Sequence, residues 1–255
     1  MASSWVTLNV DDVPMKTFLS VPSGDGPFPA VIVAQHQSGV DTFIQTVCDR
    51  LAQAGYVAAA PDLYHRKEED FTFEQIIALQ RDDPKRAAII QTRAAALLDE
   101  EIVRDMNAAL AHLTGLPTVD ESSVAVTGFC MGGRVAYLMA TRNASLKAAG
   151  VFYPGNAFAA KGGGPSPFAA SDRITCSVIG FFGKDDENPS PDDMAKMDAE
   201  LNRLKVEHTF HAFEGAGHAF MNFSAPSYRE DAANDAWPKL IAFFDEKVKA
   251  KASVA

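Results

Sequence analysis

The chain has 255 residues, 47% of them hydrophobic, with 23 Lys and Arg against 33 Asp and Glu. That length is enough for one sizeable α/β domain, and a net charge of -10 with a pI near 5.0 argues against a nucleic-acid partner or an anionic membrane surface. Cys48, Cys130 and Cys176 form neither a metal spacing nor a disulfide framework, and neither a basic leader nor an apolar run of about 20 residues is present, so a cytoplasmic protein without a membrane span is expected.

Residues 5–10 and 15–21 read as strands around an Asp11-Asp12 turn, followed by a Pro- and Gly-rich loop over 22–27. The continuous apolar run at 29–34 suits a parallel strand covered on both faces. A helix over 41–54 stops at Gly55, and a buried strand over 56–60 stops at Pro61. Residues 67–96 are charged, broken at Asp83-Pro84, and expected to hold short helices above the strand ends. An amphipathic helix over 97–113 leads to a β-branched run at 124–127. Later strands are expected at 148–153, 176–182 and 207–213, and helices at 191–204 and 231–249. This alternation predicts a single α/β domain over 1–255, built on an open, mainly parallel, doubly wound sheet flanked by helices. Ligands in such sheets sit at the carboxyl ends of the strands.

One such end carries Gly128-Phe129-Cys130-Met131-Gly132-Gly133, between the run at 124–127 and a helix-forming stretch at 133–140. A strand, a sharp turn and a helix with a nucleophile at the apex form a nucleophile elbow, with cysteine where serine is usual. A residue in a strained turn needs neighbours without Cβ if strand and helix are to approach closely. Backbone N–H groups at the helix start favour a thiolate and the oxyanion of an acyl intermediate. A second strand end carries Gly183-Lys184-Asp185-Asp186-Glu187, where an orienting carboxylate belongs, and spacing alone does not separate Asp185 from Asp186. A third carries Glu214-Gly215-Ala216-Gly217-His218-Ala219-Phe220. The order nucleophile, acid, histidine is that of α/β-hydrolases. His218 is expected to exchange protons with the thiol, leaving group and water, and the carboxylate to fix its tautomer.

From about Pro29 to the last helix the chain resembles the dienelactone hydrolase family. The resemblance rests on Val31-Ile32-Val33-Ala34-Gln35 with Gly39-Val40, on Pro61-Asp62-Leu63-Tyr64, on the elbow, on the acidic loop and on Gly217-His218-Ala219-Phe220. It implies a small-molecule ester or lactone substrate and a Cys130, Asp186, His218 triad without metal or organic cofactor. The acid follows the loop glycine by three positions in that family. The oxyanion hole would be the backbone N–H groups of Met131 and Gln37. Two positions depart from the family pattern: His36 stands where a glutamate is usual, and Asn222 where an arginine grips the carboxylate of dienelactone. A neutral amide does not replace a bidentate guanidinium, so a substrate other than dienelactone is expected.

Tyr64, Arg66, Tyr153 and Phe220 are further candidates for substrate contact, as are His36 and Asn222. Against each stands a plainer reading: Cys130 as a small buried apolar residue, His36 as a satisfied structural histidine, Arg66 as an exposed loop cation, Tyr153 and Phe220 as core. His208 and His211, three apart in a strand, point to opposite faces and make a poor metal pair. The rival functions are a thioesterase or peptidase-like acyl hydrolase on the same scaffold, and a non-catalytic protein with a redox-sensing or ligand-binding thiol. No interface signature is present, so a monomer is the default.

Overall fold

A computed structural model describes residues 1–67, 73–79 and 83–249. The chain opens with β1 (Ala2–Val10) and β2 (Val13–Val21), joined through Asp11 and Asp12 at φ 52° and 62°. Two successive positive φ values give a tight hairpin turn whose twist matches the strands, and short polar side chains tolerate it best. Then follow β3 (Phe28–Ala34), α1 (Thr42–Gln53), β4 (Val57–Pro61), α2 (Phe73–Ala78), α3 (Pro84–Ala96), α4 (Asp99–Thr114) and β5 (Val119–Phe129). After these come α5 (Met131–Arg142), β6 (Ala148–Phe152), β7 (Ser177–Gly183), α6 (Pro191–Leu204), β8 (His208–Phe213) and α7 (Glu230–Lys247).

The strands form one eight-stranded sheet in the order β1-β2-β4-β3-β5-β6-β7-β8. The β1–β2 and β2–β4 pairs are antiparallel and all the others parallel. Period-2 alternation divides the apolar residues between the two faces. Ile32, Ala59, Val126 and Val178 pack with α4, α5 and α6, whereas Val31, Ala58, Ala125 and Ile179 pack with α1 and α7. The sheet is therefore the mainly parallel, doubly wound one expected from the sequence. Among the described residues, no helix is long and apolar enough to cross a membrane.

Helix starts follow their side chains. Asp41 caps α1 by accepting from the Phe43 and Ile44 amides, and Ser190 and Asp193 form a reciprocal capping box on α6. Several boundaries differ from expectation: β1 begins at Ala2 and β2 at Val13, ahead of 5 and 15. β5 begins at Val119, not 124, because Val119 pairs with Phe28 across a register shift. Its Glu121 and Ser122 are exposed there, so no apolar run marks the extension. α4 begins at Asp99, since Leu97 and Leu98 are extended.

The chain leaves β3 for the β4 side and returns to β5 on β3's other flank, a reversal of winding direction. A crevice opens at the carboxyl ends of two strands flanking such a switch point. Gln37 follows β3 and Cys130 follows β5.

Candidate active site

Cys130 has φ 59° and ψ -120°, a conformation strained for a side chain with a Cβ, and it immediately precedes α5. Its N–H donates to the Phe152 carbonyl at 3.1 Å and its own carbonyl accepts from the Arg134 amide at 3.1 Å. The surrounding glycines permit the turn. A Cβ on Gly128 would lie 2.0 Å from the Gly132 carbonyl oxygen, and one on Gly132 would lie 2.3 Å from that of Ala34. The elbow is thus pressed against the end of β3, close to Gln37.

The acid and histidine loops are joined by backbone bonds: Lys184 N–H to Phe213 O and Asp185 N–H to Ala216 O, both 3.0 Å. This docking leaves Asp185 exposed and turns Asp186 inward to 5% exposure. Nδ1 of His218 donates to Oδ2 of Asp186 at 2.9 Å, and the Asn188 amide donates to Oδ1 at 2.9 Å. Cys130 lines the same cavity as His218, near enough for its sulfur to act on the imidazole. Burial pushes His218 down from the usual 6.5, but its bond to Asp186 and the neighbouring Cys130 sulfur, with their charges, outweigh this and raise it to about 10. The edge of Tyr153 supports the ring at 5.2 Å between centroids, and Phe220 backs Tyr153 at 5.1 Å.

Cys130, His218, Asp186, Met131 and Gln37 share a cavity of about 570 Å³. Gln91, Ala94 and Ala95 of α3 line one side of it, and Asn156 and Lys161 line another. A neighbouring cavity of about 320 Å³ is lined by His36, Asp41, Arg86, Ser38 and Asn222, and shares Gln37 and Gln91 with the first. His36 Nε2 lies 2.9 Å from Oδ1 of Asp41. Burial alone would raise the Asp41 carboxyl, but the His36 bond and charge, with the α1 amides, hold it below its ordinary value. The side-chain oxygen Oδ1 of Asn222 already accepts from the Ser224 backbone amide at 3.0 Å.

The remaining candidates lie off the cavity. Tyr64 is buried beneath it, and its hydroxyl donates to the Gln37 carbonyl at 2.8 Å, tying down the loop after β3. Tyr153 and Phe220 are buried to within 1% behind the imidazole; they support it and do not line the cavity. Arg66 also lies off the cavity, paired with Asp105 at 2.6 Å and Asp11 at 3.0 Å. His208 binds Asp198 while His211 stacks on Phe181, as opposite-facing side chains must.

Arg134 and Lys161 are among the lining residues that sequence reasoning did not find. Arg134 is 1% exposed, forks onto both oxygens of Asp99 at 2.6 and 3.0 Å, and also donates to the carbonyls of Asn156 and Ala159. Removing one member of such a buried pair typically costs about 3–5 kcal/mol. It holds the loop after β6 against the elbow helix. Lys161 follows on that loop. Neither carries a local motif; only the odd position of an arginine on the apolar face of α5 hinted at a partner.

The family model for the dienelactone hydrolase family matches residues 15–248. A Synechocystis sp. protein provisionally named a carboxymethylenebutenolidase is 33% identical over 249 residues, covering 96% of each chain. A Methylorubrum extorquens protein with the same provisional name is 30% identical over 242 residues, 94% of this chain and 79% of that one. Among solved structures, a provisionally assigned dienelactone hydrolase from Klebsiella pneumoniae subsp. pneumoniae MGH 78578 superposes with a TM-score of 0.83 at 27% identity, covering 96% of this chain and 98% of that one.

Proposed function

Because the chain belongs to the dienelactone hydrolase family and is an ester or lactone hydrolase with the α/β-hydrolase fold, we propose that it works through a Cys130, His218, Asp186 triad and a thioester acyl-enzyme. The observation that carries this reading is the Asp186–His218 hydrogen bond in one cavity with Cys130 at the elbow. The Cys130 sulfur attacks the substrate carbonyl carbon, and the oxygen takes up negative charge against the Met131 and Gln37 N–H groups. Collapse expels the alkoxide, which takes the proton from the His218 imidazolium. Water then attacks the thioester carbon and gives its proton to the now neutral His218, and the thiolate leaves. Asp186 keeps the imidazole oriented and stabilises its cation through both steps.

The substrate is proposed to differ from dienelactone. Support comes from the second cavity, where Asn222 offers a neutral amide whose oxygen is already used and His36 is engaged by Asp41. The test is turnover of p-nitrophenyl acetate beside dienelactone, with the acylated residue located by peptide mass spectrometry after quenching. An acyl group on Cys130 and a faster reaction with the simple ester are expected. Turnover with no acyl group on Cys130 overturns the thioester route.

The histidine sets a pH limit. Its folded value of about 10 lies above the ordinary 6.5, so the folded protein holds this proton more tightly than the unfolded chain. The associated stability is present in full below about 6.5 and is lost as pH rises through about 10. The acid that protonates the leaving group disappears over the same upper range. kcat/KM is therefore expected to fall on the alkaline side near pH 10, and Asp186→Asn is expected to bring that limb down, because it removes a hydrogen bond and charge that raise His218. An alkaline limb unmoved by Asp186→Asn contradicts this assignment.

A further inference from the structure

The two N–H groups assigned to the oxyanion come from different elements: Met131 opens α5, whereas Gln37 lies in the coil after β3. Gln37 belongs to a turn closed by the Gly39 N–H on the His36 carbonyl at 3.0 Å. That carbonyl shares its rigid peptide plane with the Gln37 N–H, and among the described residues this N–H has no acceptor. A donor that is to meet a developing charge must be unspent and held in place beforehand. The loop after β4 supplies the hold. The Leu63 amide donates to Oε1 of Gln35 at 3.1 Å, and the Tyr64 hydroxyl donates to the Gln37 carbonyl at 2.8 Å. The same hydroxyl oxygen lies 3.6 Å from Sδ of Met131, so one phenol touches both residues of the hole. Tyr64 is 3% exposed, and the Arg93 guanidinium of α3 lies 5.8 Å from its ring centre. Its amide donates to Oδ1 of Asp62 at 2.9 Å, and the Asp62 amide donates to the Lys16 carbonyl of β2 at 2.8 Å. The phenol is therefore anchored to the sheet through its own backbone. Burial raises it above its ordinary range, with the charges of Asp62 and Cys130 adding, so the hydroxyl keeps its proton and goes on donating.

We propose that Tyr64 is a positioning residue for the oxyanion hole: without touching substrate, its hydroxyl holds the Gln37 turn at the separation from Met131 that a tetrahedral oxyanion requires. The two peptide planes flanking the Gln37 Cα are then both fixed, one by the Gly39 bond within the turn and the other by Tyr64 from outside it. A misplacement of about 1 Å at a reacting centre can cost about 10²-fold in rate. The consequence in turnover rests on the cysteine hydrolase reading; the brace itself does not.

The test compares wild type with Tyr64→Phe, which removes the hydroxyl and keeps the ring, on p-nitrophenyl acetate and on its thionoester. Sulfur in place of the carbonyl oxygen accepts hydrogen bonds weakly, so a hole fitted to oxygen favours the oxoester and a loosened hole loses that preference. The variant is expected to lose about 10–100-fold in kcat on the oxoester with KM within about twofold. Its oxo-to-thiono ratio of kcat/KM should fall at least about fivefold. Alkylation of Cys130 by iodoacetamide builds no oxyanion and should keep its wild-type rate. A wild-type kcat in the variant overturns the proposal, as does equal loss on both esters or alkylation slowed along with turnover. In parallel, 15N relaxation reads the Gln37 and Ser38 amides in both proteins. An order parameter near the rigid value of ~0.85 in wild type that drops by at least about 0.1 in Tyr64→Phe supports the brace, and equal values overturn it. If wild type turns over neither ester, the hydrolase mechanism falls and the relaxation still decides Tyr64.

Discussion

Cys130→Ala is expected to lower the turnover of p-nitrophenyl acetate by at least about 10³-fold, roughly 4 kcal/mol of transition-state stabilisation. Alanine fits the elbow sterically, since Cys130 already carries a Cβ at φ 59°, so the variant should fold with an unchanged melting temperature. His218→Ala is expected to fall to a similar level. The double variant should be hardly slower than either single one, because nucleophile and base act as a unit. Asp186→Asn should lose about 10²–10⁴-fold, as the imidazole loses its orienting anion. Activity in Cys130→Ala above about a tenth of wild type would remove the cysteine from the mechanism and bring the redox or ligand-binding reading of the thiol forward.

Gly132→Ala is expected to destabilise the protein by about 2–4 kcal/mol, lowering the melting temperature by about 5–15 °C. The added methyl would lie 2.3 Å from the Ala34 carbonyl oxygen and 2.7 Å from that of Gln35. Both are backbone atoms at the end of β3, a central strand buried on both faces, so nothing rotates aside. The strand end must move, and Gln37 with it; residual folded enzyme should therefore also be slow. Gly163→Ala is the matched control, because a Cβ there meets nothing within 4 Å, and its stability should stay within about 0.5 kcal/mol of wild type. Thermal or urea unfolding of both variants measures the difference. A Gly132→Ala protein as stable as the control would mean that the elbow and β3 are less tightly apposed than 2.3 Å implies.

The polar cluster under the site separates what local sequence carries from what it does not. Arg66 follows a strand end, where substrate contacts are found, and from the sequence it is a fair candidate. In the fold the β1–β2 turn brings Asp11 to it and α4 brings Asp105, and a cation facing two carboxylates at 2.6 and 3.0 Å is held there. Tyr153 and Phe220 likewise sit beside site residues in the chain, yet both face inward, one packed on the imidazole and the other behind it.

The parallel sheet, the elbow at Cys130 and the order of the loops bearing Cys130, Asp186 and His218 are all legible in the amino-acid sequence. Each of these is written in local physics: period-2 apolar runs, glycines required where backbones nearly touch, and polar loops at strand ends. Spacing alone left Asp185 and Asp186 open and the family resemblance pointed to Asp186; the docking of two loops, which only the tertiary structure supplies, is what turns Asp186 inward onto His218 and leaves Asp185 exposed. The same holds for Arg134 and Lys161. Their placement depends on Asp99, 35 and 62 residues away, and a contact over such separations is set by how the elements pack around the sheet, which no window of sequence records.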